Sequence, residues 1–176
     1  MPGLTLTVAI GNTAELLPRL VAGELDLGLF TLPVAPARGL SVTPLLDDPL
    51  LALVPKGLAT PGKAVAPAEL ARLPLILYEA AGHTRMLTDA WFAAAGLRPE
   101  PAMALGSVEA IKVLVGAGLG AAVLPALALP QPVPGTVTRL LKPAATRQLG
   151  YVLRREKVVD RGLRLVLREL ERLAAG

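Results

Sequence analysis

Three short polar stretches each stand at the mouth of an apolar-periodic segment: Gly11-Asn12-Thr13, Gly82-His83-Thr84-Arg85 and Gly106-Ser107. The first N–H groups of a helix have no intrahelical partner and carry partial positive charge, so such starts suit carboxylates and similar anions. Each residue also has a purely structural use. Thr13 can cap its helix, contact a ligand, or do both. Ser107 can cap by accepting a hydrogen bond from a backbone N–H two or three residues on. His83 can face a ligand or sit solvated on its loop. Arg85 can grip a carboxylate with two parallel hydrogen bonds, or pair with Asp89 one turn further along a helix.

Other chemistry is poorly supplied. The chain has no cysteine, its single histidine is His83, and its serines are Ser41 and Ser107. No G-x-S-x-G elbow or phosphate-binding glycine loop is present. Asp47 and Asp48 form a carboxylate pair, but neighbours on a strand point to opposite faces. The expectation is therefore no enzyme, no catalytic residue, no cofactor and no metal. One histidine cannot make a multi-histidine metal site within one chain. The lack of disulfides fits a cytoplasmic protein.

Net charge is +4, which invites a nucleic-acid reading. Its distribution argues otherwise. Arg147, Arg154, Arg155, Lys157, Arg161, Arg164, Arg168 and Arg172 crowd the C-terminal third, interleaved with Glu156, Asp160, Glu169 and Glu171. That pattern predicts a solvated helix face. At 176 residues, 53% hydrophobic and 18% charged, the chain can bury a substantial core. No uninterrupted apolar run approaches ~18 residues, and MPGLTLTV has no basic segment ahead of an apolar one. No membrane partner or export signal is expected.

The elements that must position the polar stretches follow from periodicity. Leu4–Ile10 alternates as a strand. A helix follows from Asn12 or Thr13 to Gly23, with Pro18 delaying or kinking it. Leu25–Phe30 reads as a strand closed to solvent except at Asp26. That strand–helix–strand unit predicts a parallel pair. Leu40–Leu46 and Leu50–Val54 read as two strands broken by Asp47-Asp48-Pro49. Further on come a short helix at Pro67–Leu73, a strand at Leu75–Glu79 and a helix through Ala95. A strand at Met103–Leu105 leads to a helix with Val108, Ile111 and Val115 on one face, then glycines 116, 118 and 120 and a buried strand at Ala121–Leu124. Strands at Thr136–Lys142 and Leu149–Arg155 precede a last helix capped by Asp160. The class is α/β.

Four segments in this order resemble the C-terminal effector-binding, or substrate-binding, domain of LysR-type transcriptional regulators. They are LTLTVAIGNTAELLPRLVAGELDLGLF, LSVTPLLDDPLLALVPKG, LPLILYEAAGHTRMLTDAWFAAAGLRPEPAMALGSVEAIKVLVGAGLGAAVLP, and RLLKPAATRQLGYVLRRE with the helix after it. The resemblance covers nearly the whole chain. It implies the two-lobed type II periplasmic-binding-protein fold, with lobe I at 1–46 and 141–176 and lobe II at 47–140. Crossings would fall near Leu46–Asp48 and Arg139–Leu141. It implies a small, anionic effector such as an organic acid bound between lobes. Thr13 and Thr31 match ligand-facing positions of lobe I, and His83 and Thr84 match lobe II, beside Gly82, Arg85 and Ser107. It further implies a cytoplasmic regulator that self-associates as a dimer or tetramer and reaches DNA through an N-terminal helix-turn-helix domain. Two departures stand out. No helix-turn-helix segment is present, and the family's first strand and helix would precede Leu4. Lobe I is therefore expected to be incomplete and repaired, by direct pairing of Leu4–Ile10 with Leu25–Phe30 or by a strand from another chain. A truncated solute-binding protein of an uptake system is the alternative with the same fold.

Overall fold

The computed structural model describes residues 5–35, 38–80 and 82–174. In chain order the elements are α1 (Thr13–Ala22), β1 (Gly28–Leu32), β2 (Leu40–Pro55), β3 (Ala64–Val65), α2 (Pro67–Leu70), β4 (Ile76–Tyr78), α3 (His83–Ala93), β5 (Met103–Leu105), α4 (Val108–Gly116), β6 (Ala122–Pro125), β7 (Thr136–Leu141), β8 (Thr146–Arg154) and α5 (Arg161–Ala174). They gather into two compact units, residues 1–47 with 148–176 and residues 48–147. The chain leaves unit 1 within β2 and returns within β8. The return at Gln148 is later than the crossing expected near Arg139–Leu141, because β7 pairs inside unit 2.

Unit 1 is built on β1, β8 and the first part of β2, with β8 in the middle. Its small core joins Leu20 of α1, Phe30, Leu40 and Val152, with Leu16, Leu17, Leu25 and Val34 packed around them. Helix α1 begins at Thr13 despite Pro18. Asn12 accepts from the Glu15 N–H at 3.0 Å while Glu15 accepts from the Asn12 N–H at 3.3 Å, a reciprocal capping box. Gly23 ends the helix at φ 86°, a left-handed conformation that favours glycine.

Several expectations for this unit fail. β1 starts at Gly28 rather than Leu25, Leu29 is exposed, and β1 pairs antiparallel with β8, with Phe30 opposite Gly150. A local strand–helix–strand pattern cannot register a partner some 120 residues away, so the parallel pair was the wrong inference. Thr5–Ile10 forms no strand, and Leu4 lies outside the described residues. Among the described residues no pairing of this segment with β1 is present. The side chains that alternation would bury are open instead: Leu6 is 64% exposed, Val8 78% and Ile10 96%. Replacing all three by serine is thus expected to move stability by no more than about 1.5 kcal/mol in all, at about 0.5 for each ordinary surface substitution. Urea unfolding checks this, and a loss of several kcal/mol would show that the segment is packed.

Unit 2 carries the larger core. β2 pairs antiparallel with β6 and β7, β7 pairs parallel with β3, and β4 pairs parallel with β5. β2 is one strand through Asp47-Asp48-Pro49, not two. The turn propensity of Asp-Asp-Pro loses to the sheet around it: β8 neighbours β2, and beyond Pro49 Leu50–Leu53 pair with β6 and Leu51–Pro55 with β7. One face packs Leu50, Ala52, Val54, Leu70, Leu77, Trp91, Phe92 and Val123. The other packs Leu53, Ile76, Ile111, Val115, Ala122 and Leu124. β6 is buried throughout, as a strand covered on both faces must be. Trp91 meets Phe92 edge-on with centroids 4.9 Å apart, and its indole N–H donates to the Pro143 carbonyl at 2.7 Å.

The basic C-terminal third is not one solvated helix face. Only Arg161, Arg164, Arg168 and Arg172 of that group lie on α5. Arg154 donates to the Leu20 and Leu25 carbonyls at 2.8 and 3.0 Å, and Arg155 donates to the Leu40 carbonyl at 3.0 Å. Within unit 1 these arginines tie β8 and the residue after it to α1, to Leu25 and to the start of β2.

Candidate functional site

The three expected helix starts differ in how far their donors are already used. At α1 the capping box of Asn12 and Glu15 serves the first turn, so Thr13 has no capping duty; it is half-buried in the first helical turn. At α4 the Ser107 hydroxyl accepts from the Ala110 N–H at 3.3 Å. A carboxylate is already resident there: Glu79 Oε1 lies 3.4 Å from where a Gly106 side chain would begin. That acidic group occupies part of the positive field an anion would seek. α3 is different. Its cap, Gly82, has no side chain to accept from the first turn, and no acidic residue sits in that turn. His83 is half-buried and Thr84 buried, with the Thr84 carbonyl accepting from the Thr88 hydroxyl at 2.8 Å. α3 is therefore the open helix start of the three.

Arg85 takes the structural alternative. Its Nε donates to both carboxylate oxygens of Asp89 at 2.9 and 3.0 Å, and its Nη1 donates to the Tyr78 carbonyl at 2.8 Å. The guanidinium thus ties α3 to the end of β4. Gly82, His83, Thr84, Arg85 and Ser107 all belong to unit 2. They follow the carboxyl ends of β4 and β5, which parallel pairing brings side by side at Tyr78 and Leu105. Thr13 and Thr31 belong to unit 1, where Thr31 sits half-buried in β1 opposite Leu149.

Three residues of the same end of unit 2 were not among the candidates. Asp48 is only 1% exposed and is held on both oxygens. Oδ1 accepts from the Leu127 N–H at 3.0 Å, and Oδ2 accepts from Arg147 Nε at 2.9 Å and Nη2 at 2.7 Å. The third is Tyr78, whose phenol is pushed up to about 12. Burial is the main cause; Asp48 and Glu109 add to it, and Arg147 opposes it. The sequence held a partial signal, the Asp47-Asp48 pair, but its arginine partner lies 99 residues away.

The Tyr78 shift has a sign that can be tested. The unfolded chain ionises this phenol near 10, below the folded value. The associated stability is present below pH 10 and is lost as pH rises from 10 to about 12. Phenolate absorbance should resolve a late-ionising tyrosine near 12, and Tyr78→Phe should remove that phase and flatten stability across the same window. A late phase that survives in Tyr78→Phe would assign it to Tyr151 instead.

The chain thus forms two α/β units, with strands β2 and β8 running through the boundary and polar residues at helix starts. A family model described as the LysR substrate binding domain matches residues 1–175, and the chain belongs to that family. Its architecture is accordingly the two-lobed type II periplasmic-binding-protein-like α/β fold. A probable hydrogen peroxide-inducible genes activator of Mycobacterium avium is 34% identical over 161 residues, covering 87% of this chain and 50% of that protein. The chain spans about half the length of the curated relatives it matches. Among solved structures, the CcmR regulatory domain of Synechocystis PCC6803 in complex with 2-PG superposes with a TM-score of 0.83 at 22% identity, covering 98% of this chain and 85% of that one. HinK, a LysR family transcriptional regulator from Pseudomonas aeruginosa, gives 0.83 at 23% identity, over 98% and 61%. The two structural likenesses show the fold. Among the described residues no helix is long and apolar enough to cross a membrane, and no group of acidic or histidine side chains is placed to hold a metal ion.

Proposed function

We propose that this chain is the effector-sensing part of a LysR-type transcriptional regulator and that its effector is a small anionic metabolite. The family match over residues 1–175 carries the reading, and the relatives it resembles are transcriptional regulators. The open start of α3 supplies the chemistry. Its first-turn N–H groups, flanked by His83 and Thr84, lack a side-chain cap and suit a carboxylate or phosphoryl oxygen. Gly82 lets a ligand approach that backbone closely, and Ser107 stands at the neighbouring strand end. Arg85 contributes by anchoring α3. Thr13 and Thr31 are the polar candidates on unit 1. A solved relative of the same fold was captured with 2-PG, and an anion of that kind is the first to try here.

Binding shifts a conformational equilibrium only by its differential affinity for the states involved. In the full-length regulator that difference would act on a DNA-binding domain and on self-association as a dimer or tetramer. Catalysis forms no part of this reading, because the relatives that the chain resembles are transcriptional regulators. Calorimetric titration of the full-length protein with organic acids and phosphorylated acids, 2-PG included, is the test. At least one should bind and return unchanged. Failure of the whole panel would overturn the reading, and turnover of a bound acid would overturn its non-catalytic part.

A further inference from the structure

We infer that Arg147 is a recognition residue for the oxyanion group of the effector, and that buried Asp48 is the positioning residue that aims it. The inference rests on the effector reading above and adds to it residues outside its set of contacts.

Asp48 is 1% exposed, so its carboxylate has no solvent of its own and depends on protein donors. Arg147 provides two of them through Nε and Nη2, both to the same oxygen, and the Leu127 N–H holds the other. That arrangement fixes the plane of the guanidinium. It uses one edge of the fork and leaves Nη1 uncommitted among the described residues. Arg147 keeps 18% of its side-chain surface open. A rigid arginine with one edge engaged and another open matches the two-oxygen face of a carboxylate or phosphoryl group. Its orientation is set before the ligand arrives, which lowers the ordering cost of binding.

Asp48 offsets the charge of Arg147, so the guanidinium offers directed N–H donors rather than a net positive charge. Glu109, 78% exposed, is paired with Lys112 at 2.6 Å. The Tyr78 phenol lies within the field of Arg147, Asp48 and Glu109. A phenol is protonated at neutral pH, so it carries an O–H donor and adds no negative charge.

The test compares wild type with Arg147→Lys and the double variant Asp48→Asn/Arg147→Gln. Inorganic phosphate, 2-PG and citrate are titrated calorimetrically, with circular dichroism reporting the fold. Arg147→Lys keeps the charge but loses the planar fork. The double variant keeps a hydrogen-bonded neutral pair. Each should remain folded and lose at least tenfold in affinity for whichever probe wild type binds. A merely structural pair predicts altered melting with unchanged affinity, and equal binding by both folded variants would overturn the inference while leaving the effector reading intact. Should Arg147→Lys fail to fold, the double variant alone decides the matter in the same way. If wild type binds none of the three probes nor the wider acid panel, the effector reading falls and this inference falls with it. The ratio of phosphate to citrate affinity then identifies which oxyanion the fork accepts.

Discussion

Arg147→Ala is expected to destabilise the protein by about 3–5 kcal/mol, the usual consequence of stranding one partner of a buried ion pair. The reason lies in the carboxylate left behind. Asp48 is 1% exposed and receives two of its three hydrogen bonds from Arg147. Once the guanidinium is gone, the Leu127 N–H alone faces a charge that needs several donors. The pair itself need not be worth that much. Bringing both charges out of water offsets most of their attraction, so a neutral replacement of similar shape is tolerated. Asp48→Asn/Arg147→Gln should therefore recover most of the loss. Urea unfolding at neutral pH measures both variants. A cost below about 1 kcal/mol for Arg147→Ala would mean that water reaches Asp48 and that the pair resembles a surface salt bridge. Exposed pairs such as Arg172–Glu169, 76% and 44% open, supply the contrast within the same molecule.

The Asp48–Arg147 pair also marks where the sequence stops being readable. Features closed within one turn or one helix were legible. Ser107 caps α4, with Ile111 and Val115 inward, because the donor, acceptor and apolar spacing all lie within nine residues. Asp160 likewise accepts from the Leu163 N–H at 2.8 Å as its position predicts. The open start of α3 was visible in Gly82, which has no side chain with which to cap. What failed depended on distant partners. The break expected at Asp47-Asp48-Pro49 followed local turn chemistry, yet β2 runs unbroken through it, with β8 as a sheet neighbour and β6 and β7 paired to Leu50–Pro55 just beyond, all far off in sequence. Arg147 and Arg154 looked like solvated charge because their acceptors, Asp48 and the Leu20 and Leu25 carbonyls, lie about 100 residues or more upstream. Thr5–Ile10 shows the converse. It has the alternation of a strand, but alternation says which face would be buried and supplies no neighbour to bury it against.

The glycine run after α4 separates two causes that sequence alone merges, and substitution should separate them in turn. Gly118 adopts φ +85° with nothing within 4 Å of a prospective side chain. Alanine there meets open space and only the strain of a left-handed backbone, about 1–2 kcal/mol. Gly120 has no left-handed requirement but no room: a methyl group would begin 2.5 Å from the Pro74 carbonyl oxygen and 3.1 Å from Ile76. That same oxygen accepts from the Ala121 N–H at 2.8 Å, and the Ala121 carbonyl accepts from the Ile76 N–H at 2.8 Å. These bonds join the chain entering β6 to the chain entering β4, with Leu75, Ile76 and Ala121 all buried around them. Backbone atoms cannot swing aside as a side chain can. Gly120→Ala must therefore push two strands apart, and a cost of about 3 kcal/mol or more is expected, at or above the top of the usual overpacking range. Urea unfolding of the two variants should rank Gly120→Ala well above Gly118→Ala. Hydrogen exchange at the Ala121 and Ile76 amides should accelerate in the first variant alone. If the two alanines cost the same, the run is a flexible turn. If Gly120→Ala is the milder, the close approach of β6 to Pro74 is not part of the stable core.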